Sequence, residues 1–486
     1  MKDKRITNLV NLMSKNLTDN EVELLELGKL LKLDLRAFKR LKKSQSESYV
    51  EKIRDEALLK MNSTNDNKIK RPHLFYIGSV DFMVSIDNHQ KKRVFLLETN
   101  GGSNRGLSIL TNSQQEIIYN GVYHAISQAI RKERSSNPNI LVLIGIPQGD
   151  RLIHEKAILI NNLKKKLDSN GYSSSVFSID NFEPTFQSGI AILVADYKQI
   201  LDNLSYEKYW LKIRNHKVNV ILGDGVVRRF NNPIVNKIIR EEPQKLKSII
   251  INPVYHITDD KSLSYLAKCM IDNDLEKFNA ANFIFSKAFT KSELITKVLD
   301  LISIYDRPFI IKPYGGSGGV GVMSILPENA LNKYEIKRIV ENSETEFFER
   351  FRERRDPYPY TIQEMAKFSL IDWNREKHTF DVRIYLSQIE NKIMPVGGLA
   401  RIARCTFIKG INKEEFVVNL TGFGGRIEVE RGLGLSEENA DKIGLSFDDF
   451  VNLFSISSMI FDSIVENYRK IIEFNNWNKT LGDKTI

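Results

Sequence analysis

Five glycines fall within the seven positions Gly315–Gly321, joined there by Ser317 and Val320. Apolar runs flank them: Phe309–Ile311, ending in Lys312, and Val320–Leu326. This order predicts strand, flexible loop, strand. Glycines let backbone N–H groups approach phosphate oxygens with no Cβ in the way. Lys312 sets a point charge at the root of the loop, where a nucleotide phosphate needs one. The plainer alternative is a glycine-rich turn with a solvated lysine. Two better-known phosphate loops do not fit. The P-loop needs Gly-Lys-Ser/Thr and a helix behind it. Gly316-x-Gly318-x-x-Gly321 has the dinucleotide spacing, but that motif opens a helix, and here β-branched and apolar residues follow.

A second constellation lies far upstream. Ile77–Ile86 alternates, with Val80, Phe82, Val84 and Ile86 on one face and Ser79, Asp81, Met83 and Ser85 on the other. After the turn-like Asp87-Asn88-His89-Gln90, Val94–Asn100 reads as the returning strand, and Gly101-Gly102 ends it. The period of two puts Glu98 and Asn100 on one face. The hairpin thus presents Asp81, Glu98 and Asn100, two carboxylates and an amide oxygen, which are hard ligands suited to a Mg²⁺ that also holds phosphates. The alternative is a hairpin with an ordinary solvent-facing polar side.

The remaining chain sets these pieces in an α/β context. Leu17–Leu41 reads helical, with Thr18 and Glu21 as a capping box. Between 137 and 253, short β-branched runs (Ile140–Gly145, Ile190–Ala195, Val218–Leu222, Ser248–Ile251) alternate with helical stretches, clearest at His154–Asn170. That alternation predicts a parallel α/β unit. Further on, Ser262–Met270 and Ser292–Ile304 read as helices, and Phe283–Phe285, Thr361–Ala366, Phe380–Ser387 and Ile393–Val396 as strands. Phe447–Phe474 reads as a long amphipathic helix. His154-Glu155 suits catalysis or a helix start, and Arg228-Arg229 suits an anionic substrate or plain exposure.

The 486 residues suffice for about three domains. No run of about 18 apolar residues predicts a membrane span. Two distant cysteines, Cys269 and Cys405, fit a reducing cytoplasm and no disulfide framework. The net charge of +10 is carried by dispersed lysines without a nucleic-acid motif, so acidic small molecules such as ATP account for it as well. No H-R-D or D-F-G set appears, which argues against a protein kinase.

From 259 to 425 the chain carries, in order, DDKSL, IIKPYGGSGGVGV, IQEM, FDVRIY, GGLARIA and NLTGFGG. In order and spacing this third of the sequence resembles an ATP-grasp domain. The resemblance implies ATP as nucleotide, with Lys261 and Lys312 as its two lysines and Gly315, Gly316, Ser317, Gly318 and Gly319 as its covering loop. It further implies Gln363 and Glu364 at the hinge strand, Arg383 and Arg401 as phosphate or acyl-phosphate arginines, and Asn419 facing the site. The family's metal strand pair normally follows the glycine cluster. Here VDFMV at 80–84 and LLETNGG at 96–102 match it at the other end of the chain. The resemblance is therefore to a circularly permuted ATP-grasp protein. The expected division is a metal strand pair with N-terminal helices (1–130), an α/β pre-ATP-grasp domain of Rossmann-like kind (131–256) and the nucleotide-binding part (257–486). The implied activity is ligation of a carboxylate to an amine, using ATP and Mg²⁺, or Mn²⁺ in its place, on small molecules or short peptides. It involves no nucleic acid and no membrane. Two readings stand beside it: a phosphotransferase on the same fold, and a nucleotide-binding protein without turnover. The acid and amine are not legible, nor whether Arg105, Arg228 or Arg404 binds substrate.

Overall fold

The computed structural model describes residues 4–13, 36–62, 70–101, 106–133, 139–150, 152–183, 189–351, 355–420 and 427–474. The fold is α/β and holds three main sheets. The strands in chain order begin with β1 (Ile77–Ile86) and β2 (Lys92–Asn100). Then come β3 (Asn139–Ile146), β4 (Ser174–Ser178), β5 (Gly189–Asp196), β6 (Leu204–Glu207), β7 (Trp210–Ile213), β8 (His216–Lys217), β9 (Val220–Leu222) and β10 (Ile249–Ile251). The third group is β11 (Phe285–Ala288), β12 (Phe309–Lys312), β13 (Met323–Ile325), β14 (Tyr360–Glu364), β15 (Ile371–Trp373) and β16 (Glu376–His378). The last three are β17 (Phe380–Ile389), β18 (Lys392–Ile402) and β19 (Gly432–Gly434).

The middle of the chain forms a five-stranded sheet in the order β10-β9-β3-β5-β4, parallel throughout. Its strands other than the edge strand β4 are apolar on both faces because helices cover both. The glycine loop joins β12 to β13 at the edge of a four-stranded antiparallel sheet, β11-β14-β12-β13. The third sheet runs β19-β18-β17-β1-β2. In it β1 pairs with β17, so strands about 300 residues apart in sequence become direct neighbours.

Several elements differ from their sequence reading for identifiable reasons. The short strand β4 and the β6-β7-β8 hairpin sheet were not foreseen, since their sequences mix polar and apolar residues without a sustained period. Gly397-Gly398 does not end a strand: β18 runs straight through it. A Cβ at Gly398 would lie 2.2 Å from the Arg383 carbonyl oxygen, so the close approach of β17 requires a glycine there. Val417–Leu420 forms no strand. The tail is not one amphipathic helix but two, Phe447–Glu466 and Tyr468–Glu473. Fourteen of the first helix's twenty residues are buried, against the helix Glu47–Asn62, β18 and the helix Lys261–Cys269. Three of its serines return their hydroxyls to carbonyl oxygens, Ser455 to Val451, Ser457 to Phe454 and Ser463 to Ala267, whereas Ser458 Oγ and Asp462 Oδ1 are buried without a partner. The Thr18–Glu21 box and the glycine cluster at 422–425 lie outside the described residues.

Candidate active site

β1 and β2 form the expected hairpin, and its geometry explains the long spacing between Asp81 and Glu98. Asp81 lies opposite Glu98, but Phe82 lies opposite Leu96, so Leu97 is an extra residue in a β-bulge. The turn is tied by Asp87, whose carboxylate accepts the N–H groups of His89 and Lys91. The bulge frees the Leu97 carbonyl from the ladder. It accepts from the Tyr265 hydroxyl at 2.6 Å and from Lys312 Nζ at 3.2 Å.

On the other side, β1 presents Asp81 directly opposite Arg383 of β17. Glu98, Asp81 and Arg383 therefore form one row across three strands. Two positions along β17, Asp381 stands opposite Arg401 of β18. Arg383 grips Asp81 with two bonds, Nε to Oδ1 and Nη2 to Oδ2, both 2.6 Å. Arg401 Nη2 reaches the same Oδ2 at 2.9 Å and binds Asp381 with Nε at 2.7 Å and Nη2 at 2.5 Å. Asp81, Asp381 and Arg401 are buried. Burial opposes charge on Asp81, yet the two guanidiniums outweigh it and hold its carboxyl well below the usual range. Burial raises Asp381 to about 6, with the Asp81 charge adding to it against the pull of Arg401. Asp81 thus has both oxygens engaged by arginines.

Glu98 differs. Its side chain is 34% exposed, it accepts no hydrogen bond among the described residues, and its nearest cations are Lys261 Nζ at 3.9 Å and Arg383 Nη2 at 4.0 Å. Asn100, opposite Ser79, has a buried Nδ2 with no partner. The Glu98 carboxylate, left without a hydrogen bond, suits a hard divalent ion; Asn100 could join it only through its amide oxygen, since its unpartnered Nδ2 is a donor, and Asp81 only by releasing part of its hold on the arginines. Among the described residues no group of three or more His, Cys, Asp or Glu side chains is arranged to hold a metal.

Lys312 closes the site from the glycine-loop side. It ends β12, is buried, and donates to Leu97 O, to the Tyr265 hydroxyl at 2.9 Å and to Gln363 Oε1 at 2.5 Å. Burial pushes its pKa down to about 7, Glu98 resists that, and Lys261 adds to it. Lys261 starts the helix Lys261–Cys269 and donates to the Gly316 carbonyl at 3.3 Å. The helix is capped by Asp260, which accepts from the Ser262 N–H at 3.1 Å and pairs with the buried Lys287 at 2.5 Å. The loop itself lies against 417–419: at Gly319, φ +77°, a Cβ would come within 2.3 Å of Val417 Cγ1, and one at Gly318 within 3.2 Å of Asn419 Nδ2. Ser317 and Gly318 form its exposed tip.

Lys261, Lys312, the loop glycines, Gln363, Asp81, Glu98, Arg383 and Arg401 are thus brought together from both ends of the chain. Gln363 enters as a buried bracket, holding Lys312 and donating to the Leu96 carbonyl at 3.0 Å. Glu364 does not join them: its carboxylate is taken up by Arg307 at 2.6 Å and the Ile284 N–H at 3.0 Å. Arg404 pairs with Glu414 and Glu428. Glu155 accepts from the Gly106 and Ser108 N–H groups and the Ser108 hydroxyl, while both ring nitrogens of the buried His154 lack a partner. Arg105 lies outside the described residues. Tyr265 and Asp381 had no assigned role. Tyr265 sits in an apolar helix and reads as core. Asp381 shares a face with Arg383 in FDVRIY, and that spacing was the available signal.

Lys312 gives a pH dependence to ligand binding. Its charged form attracts phosphate and predominates below about pH 7. Affinity for a phosphate-bearing ligand placed against Lys312 should therefore be greatest below pH 7 and fall by up to about tenfold per pH unit above it. Above pH 7 binding should take up a proton, because the bound phosphates raise the lysine's pKa. Titration calorimetry in buffers of different ionisation heat measures this. Lys312→Met should abolish both the slope and the uptake, and an unchanged slope in that variant would assign them elsewhere.

The sequence matches no protein-family model and no curated protein. Among solved structures, it is similar to one named a gamma-glutamylcysteine synthetase from Methylobacillus flagellatus KT (14% identity, 90% of this chain and 96% of that one, TM-score 0.38). It is also similar to a glutathione synthetase-like effector from Globodera pallida in apo form (11% identity, 83% and 85%, TM-score 0.38). A third is D-alanyl-alanine synthetase A from Vibrio cholerae O1 biovar eltor str. N16961 (8% identity, 57% and 94%, TM-score 0.26).

Proposed function

We propose that this chain is a circularly permuted ATP-grasp enzyme that ligates a carboxylate to an amine, releasing ADP and phosphate. The observation that carries the reading is the meeting of Lys312, Lys261 and the glycine loop with Glu98, Asp81 and Arg383. Asp81 and Glu98 lie more than 200 residues from Lys312 and the glycine loop in sequence, and their union is what a nucleotide-binding loop facing a metal-bearing strand pair requires. The adjacency of β1 to β17 supports the permuted order. The proposed parts are 1–130, 131–256 and 257–486, and a reducing cytoplasm suits the two free cysteines.

Lys261 and Lys312 would neutralise phosphate oxygens, and the loop Gly315–Gly319 would cover them and exclude water. Glu98 and Asn100, with Asp81 behind them, would hold Mg²⁺. When bound, that ion offsets charge on the phosphoryl group being transferred. The substrate carboxylate attacks the γ-phosphorus, giving an acyl phosphate and ADP. The amine then attacks the acyl carbon, phosphate departs, and the amine proton passes to solvent. Arg383 and Arg401 would steady the acyl phosphate, as planar donors matched to its oxygens. Asp81 and Asp381 hold both guanidiniums at fixed angles beforehand, which limits reorganisation during reaction. Gln363 and Tyr265 position Lys312. Glu364 would act at the hinge through its backbone, since its side chain is engaged with Arg307.

A screen of acids and amines for ATP-dependent phosphate release identifies the substrates. Two tests then read the intermediate. Hydroxylamine should trap a hydroxamate when the acid is supplied without its amine. ¹⁸O in the substrate carboxylate should appear in the released phosphate. Phosphate retained on the product would instead favour a phosphotransferase.

A further inference from the structure

Beside the root of the glycine loop the chain encloses a second cavity, of about 620 Å³. Arg228 and Arg240 wall it from the parallel-sheet unit, with Tyr255 and His256 below, and Tyr314 and Arg355 close it from the loop side. Of the residues proposed above to hold the nucleotide, Lys261, Lys312, Gln363 and Glu98 do not border it; Gly315 does.

The lining carries four cationic side chains and four carboxylates, but they are not paired one to one. Its carboxylates are engaged: Asp259 by Arg228 at 2.7 Å, Asp260 by Lys287 at 2.5 Å, Glu241 by Lys237 at 3.9 Å, and Asp356 by the Tyr358 N–H at 2.9 Å. Arg240 has no ion pair and no hydrogen bond among the described residues, although it is half-buried. His256 Nε2 is buried without a partner. Burial first, then Arg240 and Arg228, push that imidazole down to about 3, so it is neutral at physiological pH. A half-buried guanidinium without a partner, facing a cavity beside a buried imidazole nitrogen without one and a second guanidinium, presents unmet hydrogen-bonding groups suited to an anion. The volume lies within the range of small-molecule sites.

We infer that this cavity binds a small molecule bearing a carboxylate or phosphate group, with Arg240 as its main contact and Arg228 and His256 flanking it. The site also touches the glycine loop. Arg355 Nη1 donates to the Gly315 carbonyl at 2.7 Å, and the Gly315 N–H donates to the Asp259 carbonyl at 3.2 Å, while the Asp259 carboxylate holds Arg228. An anion drawing Arg228 or Arg355 towards it would act on both sides of Gly315 and so change nucleotide affinity. That coupling, unlike the binding, rests on the nucleotide reading proposed above.

Calorimetry on the full chain without nucleotide separates the two ligand chemistries: inorganic phosphate and pyrophosphate form one arm, succinate and citrate the other. One arm should bind. Arg240→Gln should weaken that binding about tenfold or more, and Lys312→Ala should leave it unchanged. A thermal melt checks that each variant is folded. Should Arg240→Gln not fold, Arg240→Lys, which keeps the charge but loses the planar fork, should bind several-fold more weakly. Silence in both arms, or full binding by Arg240→Gln, overturns the proposal, as does loss of binding in Lys312→Ala alone. A saturating probe should also shift ATP affinity several-fold in the wild type but not in Arg240→Gln. Probe binding in a protein that does not bind ATP would uphold this cavity and remove the nucleotide reading. ATP binding in a protein silent to every probe would do the reverse.

Discussion

Asp81→Asn should destabilise the protein by roughly 3–5 kcal/mol, the range for removing one partner of a buried ion pair. The carboxylate is 2% exposed and receives three bonds from Arg383 and Arg401. Asparagine keeps the size but removes the charge. Arg401 then keeps only Asp381, Arg383 is left with Glu98 at 4.0 Å, and one amide N–H₂ faces donors. Urea unfolding measures the loss, and an unchanged midpoint would show that the network is not held in a low-dielectric interior. The same pairing has a pH signature. An unfolded aspartate titrates near about 3.9, and in the folded protein the arginines hold Asp81 well below that. Its contribution is therefore complete above about pH 4 and is lost as pH falls further. Asp381, raised to about 6, acts in the opposite sense and takes up its proton first. Wild type should thus lose stability steeply below pH 4, and Asp81→Asn should show a shallower fall.

Glu98→Gln is expected to behave in the contrary way. The folded protein draws little from this side chain, which has only two loose ion pairs and no hydrogen bond among the described residues. Its urea midpoint should stay within about 1 kcal/mol of wild type, as for exposed pairs. If Glu98 is the Mg²⁺ ligand proposed above, turnover should fall on the order of a hundred- to a thousandfold, because that charged ligand is lost. ATP affinity should change only several-fold, since Lys261 and Lys312 remain. Calorimetry beside an ADP-release assay separates the two effects. Turnover retained by the glutamine variant would remove Glu98 from the proposed chemistry. The contrast between neighbours in one cross-strand row is itself diagnostic: substitution at Asp81 should be read in stability, and at Glu98 in rate.

Some features of this site were legible residue by residue. Period-two alternation assigned Asp81 and Met83 to the polar face of β1 and Asp381, Arg383 and Tyr385 to one face of β17, because strand geometry alternates side chains whatever the tertiary context. The glycine loop with Lys312 at its root announced itself by composition. Other features left no local trace. The bulge at Leu97 depends on how β2 registers against β1, and register is a property of two strands together. Tyr265 became a bracket for Lys312 only through packing of its helix against β2, β11 and β14. The helix Phe447–Glu466 read as amphipathic because its serines look polar, while the hydroxyls of Ser455, Ser457 and Ser463 satisfy backbone carbonyls inside the core.

By itself the sequence determined the pieces: an alternating α/β middle, a strand–glycine loop–strand unit with its lysine, and a polar-faced hairpin ending in Glu98 and Asn100. These follow from local periodicity and from the steric freedom of glycine, which act over a few residues. Which pieces face one another was decided by the tertiary structure alone. Pairing of β1 with β17 converts Asp81 from an open carboxylate into the anchor of two arginines, and the burial of Lys312 lowers its pKa to about 7. Both outcomes depend on charges and desolvation supplied by segments hundreds of residues away, and no local pattern encodes those.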